Sequence, residues 1–267
     1  MINEISFLII VPTFNSSDIL KRLVESVNEQ TYQSWRLVFI DANSSKVHND
    51  WLKKCISRDS RFLLKKETKK YKGIYPSMTL GTQLALKSDW LIFLGSDDWF
   101  NNKYSLEIIA NKIKSKQSKN GNIITLFNTQ FLEERTYKLL RFNRVPSIRK
   151  RINQKKLNDL TFFGYMPPHQ SACFSYCLIK KIMPYSRKYK LAADSDLFLK
   201  TFSIKDLKII FIDELLINIQ AGGLSSKFLF KRVREVIKIY IENFSFYFFI
   251  PLLCRYMRRF ISRLRNI

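Results

Sequence analysis

The sequence predicts an α/β protein whose mostly parallel sheet is flanked by helices. Short β-branched and aromatic runs alternate with helix-period runs over the first hundred residues. The first two runs, Ile5–Val11 and Trp35–Ile40, are apolar except for one residue each, which is typical of strands buried on both faces. Each is followed by small polar turn residues and a helical stretch. Parallel strands joined in this way place their carboxyl ends at one edge of the sheet.

The remaining elements of the first half follow in the same order. Ile19, Leu20, Leu23, Val24 and Val27 mark one face of the first helix. The alternation continues with a helix around Trp51–Ile56, a strand at Phe62–Leu64, a helix from about Tyr75 to Leu86 and a strand at Trp90–Leu94. Because ligands bind at the carboxyl ends of such strands, the loops beginning at Pro12, Asp41 and Gly95 are expected to converge.

The pattern becomes α+β beyond about residue 120. Strands are predicted at Ile123–Phe127, Tyr137–Leu140 and Leu207–Ile212, and a long basic helical segment follows the Gly222-Gly223 turn. We expect one domain over residues 1–225, with halves at 1–100 and 101–225. Residues 226–267 are expected to form a basic amphipathic C-terminal helical extension.

Composition excludes several classes of protein. The 267 residues carry a formal charge of +24, and 46% are hydrophobic, which is enough for a packed core and excludes a fibrous or disordered chain. Four scattered cysteines favour a reducing compartment over a disulfide framework. Cys173 and Cys177, four apart on a predicted helix, favour core packing over zinc binding. The N-terminus shows no basic region or cleavage site, so no export signal is expected.

Two adjacent carboxylates, Asp97 and Asp98, follow the fourth predicted strand. Carboxylates this close repel one another unless a proton or a cation relieves the charge, and Mg²⁺ or Mn²⁺ prefers oxygen ligands. The alternative is a turn without metal, because Ser-Asp-Asp also favours turns and helix caps.

The order of several segments resembles family 2 nucleotide-sugar glycosyltransferases, which have the type A, Rossmann-like fold. The segments are Val11-Pro12-Thr13-Phe14-Asn15, Ile40-Asp41-Ala42-Asn43-Ser44, Lys72-Gly73-Ile74-Tyr75, Phe93-Leu94-Gly95-Ser96-Asp97-Asp98-Trp99-Phe100, His169-Gln170-Ser171, Ala193-Asp194-Ser195-Asp196-Leu197 and Gly222-Gly223-Leu224-Ser225. Their order and spacing carry the resemblance, which is strongest over residues 5–100. One departure is Gly95, which stands where the family's Asp-x-Asp motif begins with aspartate.

The resemblance implies roles for particular residues. Residues 1–100 would bind the nucleotide sugar, most simply a UDP-sugar, and residues 101–225 would form the acceptor side. The expected substrate-binding residues are Pro12, Thr13, Asn15, Asp41, Lys72, Gly73, Asp97 and His169. Asp97 and Asp98 would also coordinate a divalent metal, Mn²⁺ or Mg²⁺, on the donor's diphosphate, where a cation stabilises the charge of the leaving group.

Inverting sugar transfer requires a base that accepts the proton of the attacking hydroxyl. The resemblance points to Asp194, with Asp196 as the alternate, although Asp194 can also act only as a helix cap. His169 is expected near the donor phosphates or the acceptor, unless it is a structural hydrogen-bonding residue. His48, in a polar stretch, is expected to be solvated. Gly222-Gly223 forms either an anion-binding turn or an ordinary one.

The C-terminal extension suggests contact with a membrane. Ten basic residues and two acidic ones lie between Lys227 and Ile267. The apolar segment Phe244–Cys254 has eleven residues, fewer than the ~20 that span a bilayer, but its arginine flanks suit an anchor on an anionic lipid surface. The alternative is a core-packing helix with a solvated basic end. The expected location is cytoplasmic, peripheral on the inner face of the membrane.

These observations predict an inverting, metal-dependent hexosyltransferase that adds a sugar to a lipid-linked cell-surface glycan. A basic nucleic-acid-binding protein is one alternative, because the high positive charge attracts phosphate backbones. Acidic residues at the strand ends would repel such a polyanion, so nucleic acid is not the expected partner. A non-catalytic relative acting as a partner subunit is the second alternative.

Overall fold

A mixed sheet flanked by helices forms the centre of the structure. The computed structural model describes residues 5–116, 121–146, 154–222 and 228–264. Its strands are β1 (Ser6–Thr13), β2 (Trp35–Asp41), β3 (Phe62–Lys66), β4 (Asp89–Phe93), β5 (Trp99–Phe100), β6 (Ile123–Leu132), β7 (Leu139–Asn143), β8 (Ala172–Ser175) and β9 (Lys208–Gln220). Its helices are α1 (Ser17–Asn28), α2 (Lys46–Arg58), α3 (Ile74–Thr82), α4 (Ser105–Ser115), α5 (Gln154–Phe162), α6 (Tyr176–Ile182), α7 (Ala193–Phe202), α8 (Leu229–Phe244) and α9 (Phe249–Leu264).

The strand order is β3-β2-β1-β4-β8-β6-β9-β5, and β7 pairs with β6. Strands β1 to β4 form a parallel block, because β1 lies parallel to both β2 and β4 and β2 lies parallel to β3. Strand β8 is antiparallel to β4 and β6, and it joins this block to the second half. The predicted α/β class with a mostly parallel sheet is therefore confirmed for the first half, and the second half is mixed.

Two apolar layers cover the faces of the sheet and explain the continuous apolar strands. Leu8 and Ile10 of β1 pack into one layer, while Phe7 and Ile9 pack into the other. All four side chains are fully buried. Since alternate residues of a strand point to opposite faces, a strand covered on both faces must be apolar at every position.

The prediction that Cys173 and Cys177 share a helix is wrong. Cys173 lies in strand β8, buried in the core, while Cys177 lies exposed on α6. Ser175 ends the strand and caps the helix, because its side chain accepts a hydrogen bond from the amide of Leu178. The strand has four residues, too few for its period to be recognised in the sequence.

The C-terminal helices form a helical run that is longer than the eleven-residue apolar segment Phe244–Cys254. The run Leu229–Ser262 has 34 residues and is long and apolar enough to cross a membrane by length and composition. Ser245, with a φ of +47°, divides it into α8 and α9. Helix α8 packs onto the domain through Val236, Ile239 and Tyr240, which are buried in the core.

Candidate functional site

A cleft of about 1580 Å³ opens where the parallel strands end. Pro12 and Thr13 of β1, Ala42 after β2 and Gly95 after β4 line it, so the three loops converge as the sequence predicted. The predicted site residues that line the cleft are Pro12, Thr13, Lys72, Gly73, Asp97, Asp98, His169 and Asp194. Asn15 and Asp41 do not line it.

Thr13, Asp41 and His48 form a buried group behind the ends of β1 and β2. Thr13 and Asp41 are paired in the sheet register, and each is at most 3% exposed. The Thr13 hydroxyl lies 2.6 Å from Nε2 of His48, which is 3.7 Å from a carboxylate oxygen of Asp41. Burial lowers the pKa of His48, and the charge of Asp41 partly offsets this. The expectation that His48 is solvated is therefore wrong.

Asn15 and Asp41 hold the loops that flank the cleft. The amide of Asn15 donates to the Ser44 hydroxyl at 3.0 Å, and the Asn15 side-chain oxygen accepts from the amide of Ser45 at 2.8 Å. The Asp41 carboxylate accepts from the amide of Ser44 at 3.2 Å. Both side chains thus fix the positions of the neighbouring residues, including Ala42, that reach the cleft.

Glu67 is a cleft residue that the sequence analysis missed. Its carboxylate accepts hydrogen bonds from the amide of Gly73 and from the hydroxyl of Ser77, at 2.9 Å for the latter. Gly73 has a φ of +108° and precedes the first residue of α3, so Glu67 places a negative charge at a helix N-terminus. Glu67 directly follows β3, and the rule that sites lie at strand ends would have selected it.

Asp97 and Asp98 lie together on one wall of the cleft. One oxygen of Asp98, Oδ2, accepts from the amide of Gly95 at 2.6 Å and from the side chain of Gln170 at 3.0 Å. The other oxygen, Oδ1, is buried and has no hydrogen-bond partner among the described residues. Burial, followed by the charge of Asp97, raises the pKa of Asp98 to about 8. Burial also raises the pKa of Asp97.

Gly95 leaves the space that these two carboxylates occupy. A Cβ atom at position 95 would lie 2.5 Å from Oδ1 of Asp97 and 3.0 Å from Oδ2 of Asp98. A side chain there would force the carboxylates to move. The glycine that departs from the family's motif is thus matched to the arrangement of Asp97 and Asp98 in this chain.

The pair fits a divalent cation that also binds a substrate. A buried carboxylate oxygen without a donor, beside a second carboxylate, is the kind of ligand that Mg²⁺ and Mn²⁺ accept. In the described ranges, no group of three or more His, Cys, Asp and Glu side chains is arranged to hold a metal ion. Two carboxylates would therefore need oxygens from the substrate, as is common for Mg²⁺ sites that bind phosphates.

Asp194 lies at the start of α7, and its carboxylate faces the cleft. It accepts from the Tyr75 hydroxyl at 3.4 Å and from the amide of Ser195 at 2.8 Å. Asp196 does not line the cleft, and its carboxylate is paired with Lys200 at 2.7 Å. Of the two predicted candidates, the one positioned to meet a substrate is Asp194.

The 3₁₀ turn His169–Ser171 contacts the carboxylate pair through Gln170 and brings His169 near Asp194. Gln170 donates to Asp98, while Nε2 of His169 is buried without a hydrogen-bond partner in the described part of the chain. Burial lowers the pKa of His169, and the nearby charge of Asp194 opposes this. Gly222 lines the cleft with a φ of +111°, whereas the rest of that motif, residues 223–226, lies outside the described residues.

Comparison with known proteins identifies the family. The family model described as Glycosyl transferase family 2 matches residues 8–175. PGL/p-HBAD biosynthesis glycosyltransferases of Mycobacterium bovis and Mycobacterium tuberculosis are 26% identical over 201 residues, which is 74% of this chain and 70% of theirs.

Solved structures share the fold. The first 349 residues of S. aureus TarS superpose with a TM-score of 0.64 at 15% identity, covering 98% of this chain and 73% of that TarS fragment. The mannosyltransferase PcManGT of Pyrobaculum calidifontis, solved with GDP-Man and Mn²⁺, gives a TM-score of 0.62 at 13% identity, covering 97% of this chain and 71% of PcManGT. The predicted type A fold is thereby confirmed. Because the family model spans more than half of the chain, the protein belongs to glycosyltransferase family 2 and is a glycosyltransferase.

Proposed function

We propose that this glycosyltransferase is inverting and metal-dependent, and that it moves a sugar from a nucleotide-sugar donor to a hydroxyl of a lipid-linked cell-surface glycan. The observation that carries the proposal is that Asp194 and the Asp97-Asp98 pair face one cleft, which His169 and Gln170 also line. A UDP-sugar is our first choice of donor, because TarS has been solved with UDP and with UDP-GlcNAc.

The proposed reaction is a direct displacement at the anomeric carbon. Asp194 accepts the proton of the acceptor hydroxyl, whose oxygen forms the new bond to the anomeric carbon while the bond to the diphosphate oxygen breaks. The Tyr75 hydroxyl and the Ser195 amide orient the Asp194 carboxylate for this role. A Mn²⁺ or Mg²⁺ ion held by Asp97 and Asp98 would, when bound, stabilise the negative charge of the departing nucleoside diphosphate.

The assay for this proposal is nucleoside diphosphate release from a panel of nucleotide sugars, with and without Mn²⁺. We expect slow release from one donor in the presence of Mn²⁺. Thermal unfolding of the same samples reports binding separately, because a ligand that binds only the folded state raises its stability. If nucleotide sugars stabilise the folded protein but none of them releases nucleoside diphosphate, the protein is a non-catalytic relative and the proposal is contradicted.

We also propose that the protein binds the cytoplasmic face of the membrane through α9. Phe249, Leu253, Met257, Phe260 and Leu264 recur every three or four residues on one face of this helix, and each is 51–63% exposed. The basic residues Lys231, Arg234 and Lys238 of α8 are also exposed. An exposed apolar face together with nearby cations suits an anionic lipid surface.

The double variant Phe249→Ser, Phe260→Ser should bind phosphatidylglycerol vesicles at least about tenfold more weakly than wild type, because two aromatic rings no longer enter the lipid. Vesicle flotation measures this. Val47→Ser is the control, since Val47 is 76% exposed on α2, outside the cleft. Equal binding of the double variant and wild type, or no vesicle binding by either, would contradict the membrane proposal.

A further inference from the structure

The part of the cleft formed by β7, α8 and α9 is rich in arginine. Six arginines line the cleft: Arg141 and Arg144 from β7 and the residues after it, Arg232 from α8, and Arg255, Arg258 and Arg259 from α9. The last three lie on the side of α9 that is turned away from its exposed apolar face, as their spacing along the helix requires. The C-terminal helices therefore contribute to the cleft itself.

Arg255, Arg258 and Arg259 form no ion pair with a carboxylate within the ranges that the structure describes. Arg255 is only 5% exposed, and its Nε has no hydrogen-bond partner there. Burial, together with the charges of Arg255, Arg141 and Arg232, lowers the pKa of Arg259 to about 9. Buried or crowded positive charges are costly unless an anion neutralises them.

The arginine wall is adjacent to the proposed base. Arg255 donates to the Ser195 hydroxyl at 3.1 Å, and the Ser195 amide donates to Asp194 at 2.8 Å. Arg255 also contacts the Tyr240 hydroxyl at 3.4 Å, and Arg258 donates to the carbonyl of Phe163 at 2.8 Å. These contacts place the Arg255 guanidinium two hydrogen bonds away from Asp194, and Arg258 and Arg259 line the same cleft.

We propose that Arg255, Arg258 and Arg259 bind a phosphate group of the acceptor, so that the enzyme glycosylates a phosphate-bearing substrate. The inference rests on the proposed function, because it assigns the acceptor to the Asp194 side of the cleft. A guanidinium group matches phosphate oxygens in a bidentate fork, and several such groups suit a ligand with more than one negative charge. A lipid-borne phosphate and a polymeric phosphodiester share this chemistry.

Binding to the intact 267-residue chain, saturated with UDP and Mn²⁺, tests the inference without requiring turnover. The probes are geranyl phosphate, a glycerol phosphodiester and uncharged geraniol, and calorimetry gives each affinity. We expect a phosphate probe to bind although the donor site is filled, and geraniol to bind far more weakly. If geranyl phosphate binds more tightly than the phosphodiester, the acceptor phosphate is borne by a lipid. If the phosphodiester binds more tightly, the acceptor is a polymeric phosphodiester.

Arg259→Gln and the more exposed Arg258→Gln should each weaken phosphate binding about tenfold or more, because each loses a charge-assisted hydrogen bond. Arg58→Gln is the matched control, since Arg58 is exposed on α2 outside the cleft. The inference is overturned if both cleft variants bind the probe as wild type does, if geraniol binds equally well, or if UDP abolishes probe binding. A failed donor assay would instead overturn the proposed function, because these binding measurements need no transfer.

Discussion

Asp194→Asn should lower the rate of sugar transfer by about 10²–10⁴-fold, the usual contribution of a positioned general base. The amide has nearly the shape of the carboxylate, so the contacts with Tyr75 and Ser195 can be kept. It cannot accept the proton of the acceptor hydroxyl. Donor affinity should stay close to wild type, because the loss falls on the chemical step. Steady-state release of nucleoside diphosphate gives the rate, and equilibrium binding gives the affinity.

The control for this variant lies two residues along the same helix. Asp196→Asn removes a buried carboxylate that does not line the cleft and whose partner, Lys200, is half exposed, so transfer should fall less than about tenfold. A general effect on α7 would reduce both variants equally. If Asp196→Asn lost the activity and Asp194→Asn kept it, the assignment of the base would be reversed.

The parallel block and its loops were predictable because their signals are local. A strand covered on both faces must be apolar at each position, as β1 is from Phe7 to Val11. The carboxyl ends of parallel strands share one edge, so the sequence predicts that Pro12 and Asp97 share a cleft, as they do. Chain order and this single rule were sufficient.

Residues whose position depends on capping were harder to predict. The apolar pattern of α2 becomes clear only near Trp51, whereas the helix begins at Lys46 after the Ser45 cap. His48 therefore lies in the first turn of a helix, and the bond to Thr13 buries it. A polar stretch that contains a helix start resembles a loop in the sequence, which explains the wrong expectation for His48.

The roles of the two sides of α9 could not be predicted from the sequence, for a different reason. An amphipathic helix with arginines is compatible with lipid binding, with solvent exposure and with packing against a cleft. The choice for Arg255 depends on its contact with Ser195, sixty residues earlier in the chain. Such a long-range contact leaves no periodic signal, so the cleft-lining role of α9 became visible only in the structure.

Asp98→Asn should reduce Mn²⁺-dependent transfer by about 10²-fold or more, because the carboxylate that meets a cation becomes a neutral amide and the charge of the leaving diphosphate is less well stabilised. The hydrogen bonds from Gly95 and Gln170 to Oδ2 can be made to an amide oxygen, so the loop should remain folded. Asp206→Asn, an exposed carboxylate outside the cleft, is the control and should behave as wild type.

The raised pKa of Asp98 adds a pH dependence that this variant should weaken, because burial also raises the pKa of Asp97. The pKa in the folded, metal-free protein is about 8, above the ~4 of an unfolded aspartate. The stability associated with its protonated form is therefore present below about pH 4 and is lost as the pH rises through about 8. Mn²⁺ binds the ionised form, so its affinity should rise by up to about tenfold per unit between roughly pH 6 and 8. Thermal shifts by Mn²⁺ across this range measure the effect. A wild-type shift that does not change with pH, or an Asp98→Asn variant whose rise is as steep as that of wild type, would show that Asp98 is not a metal ligand.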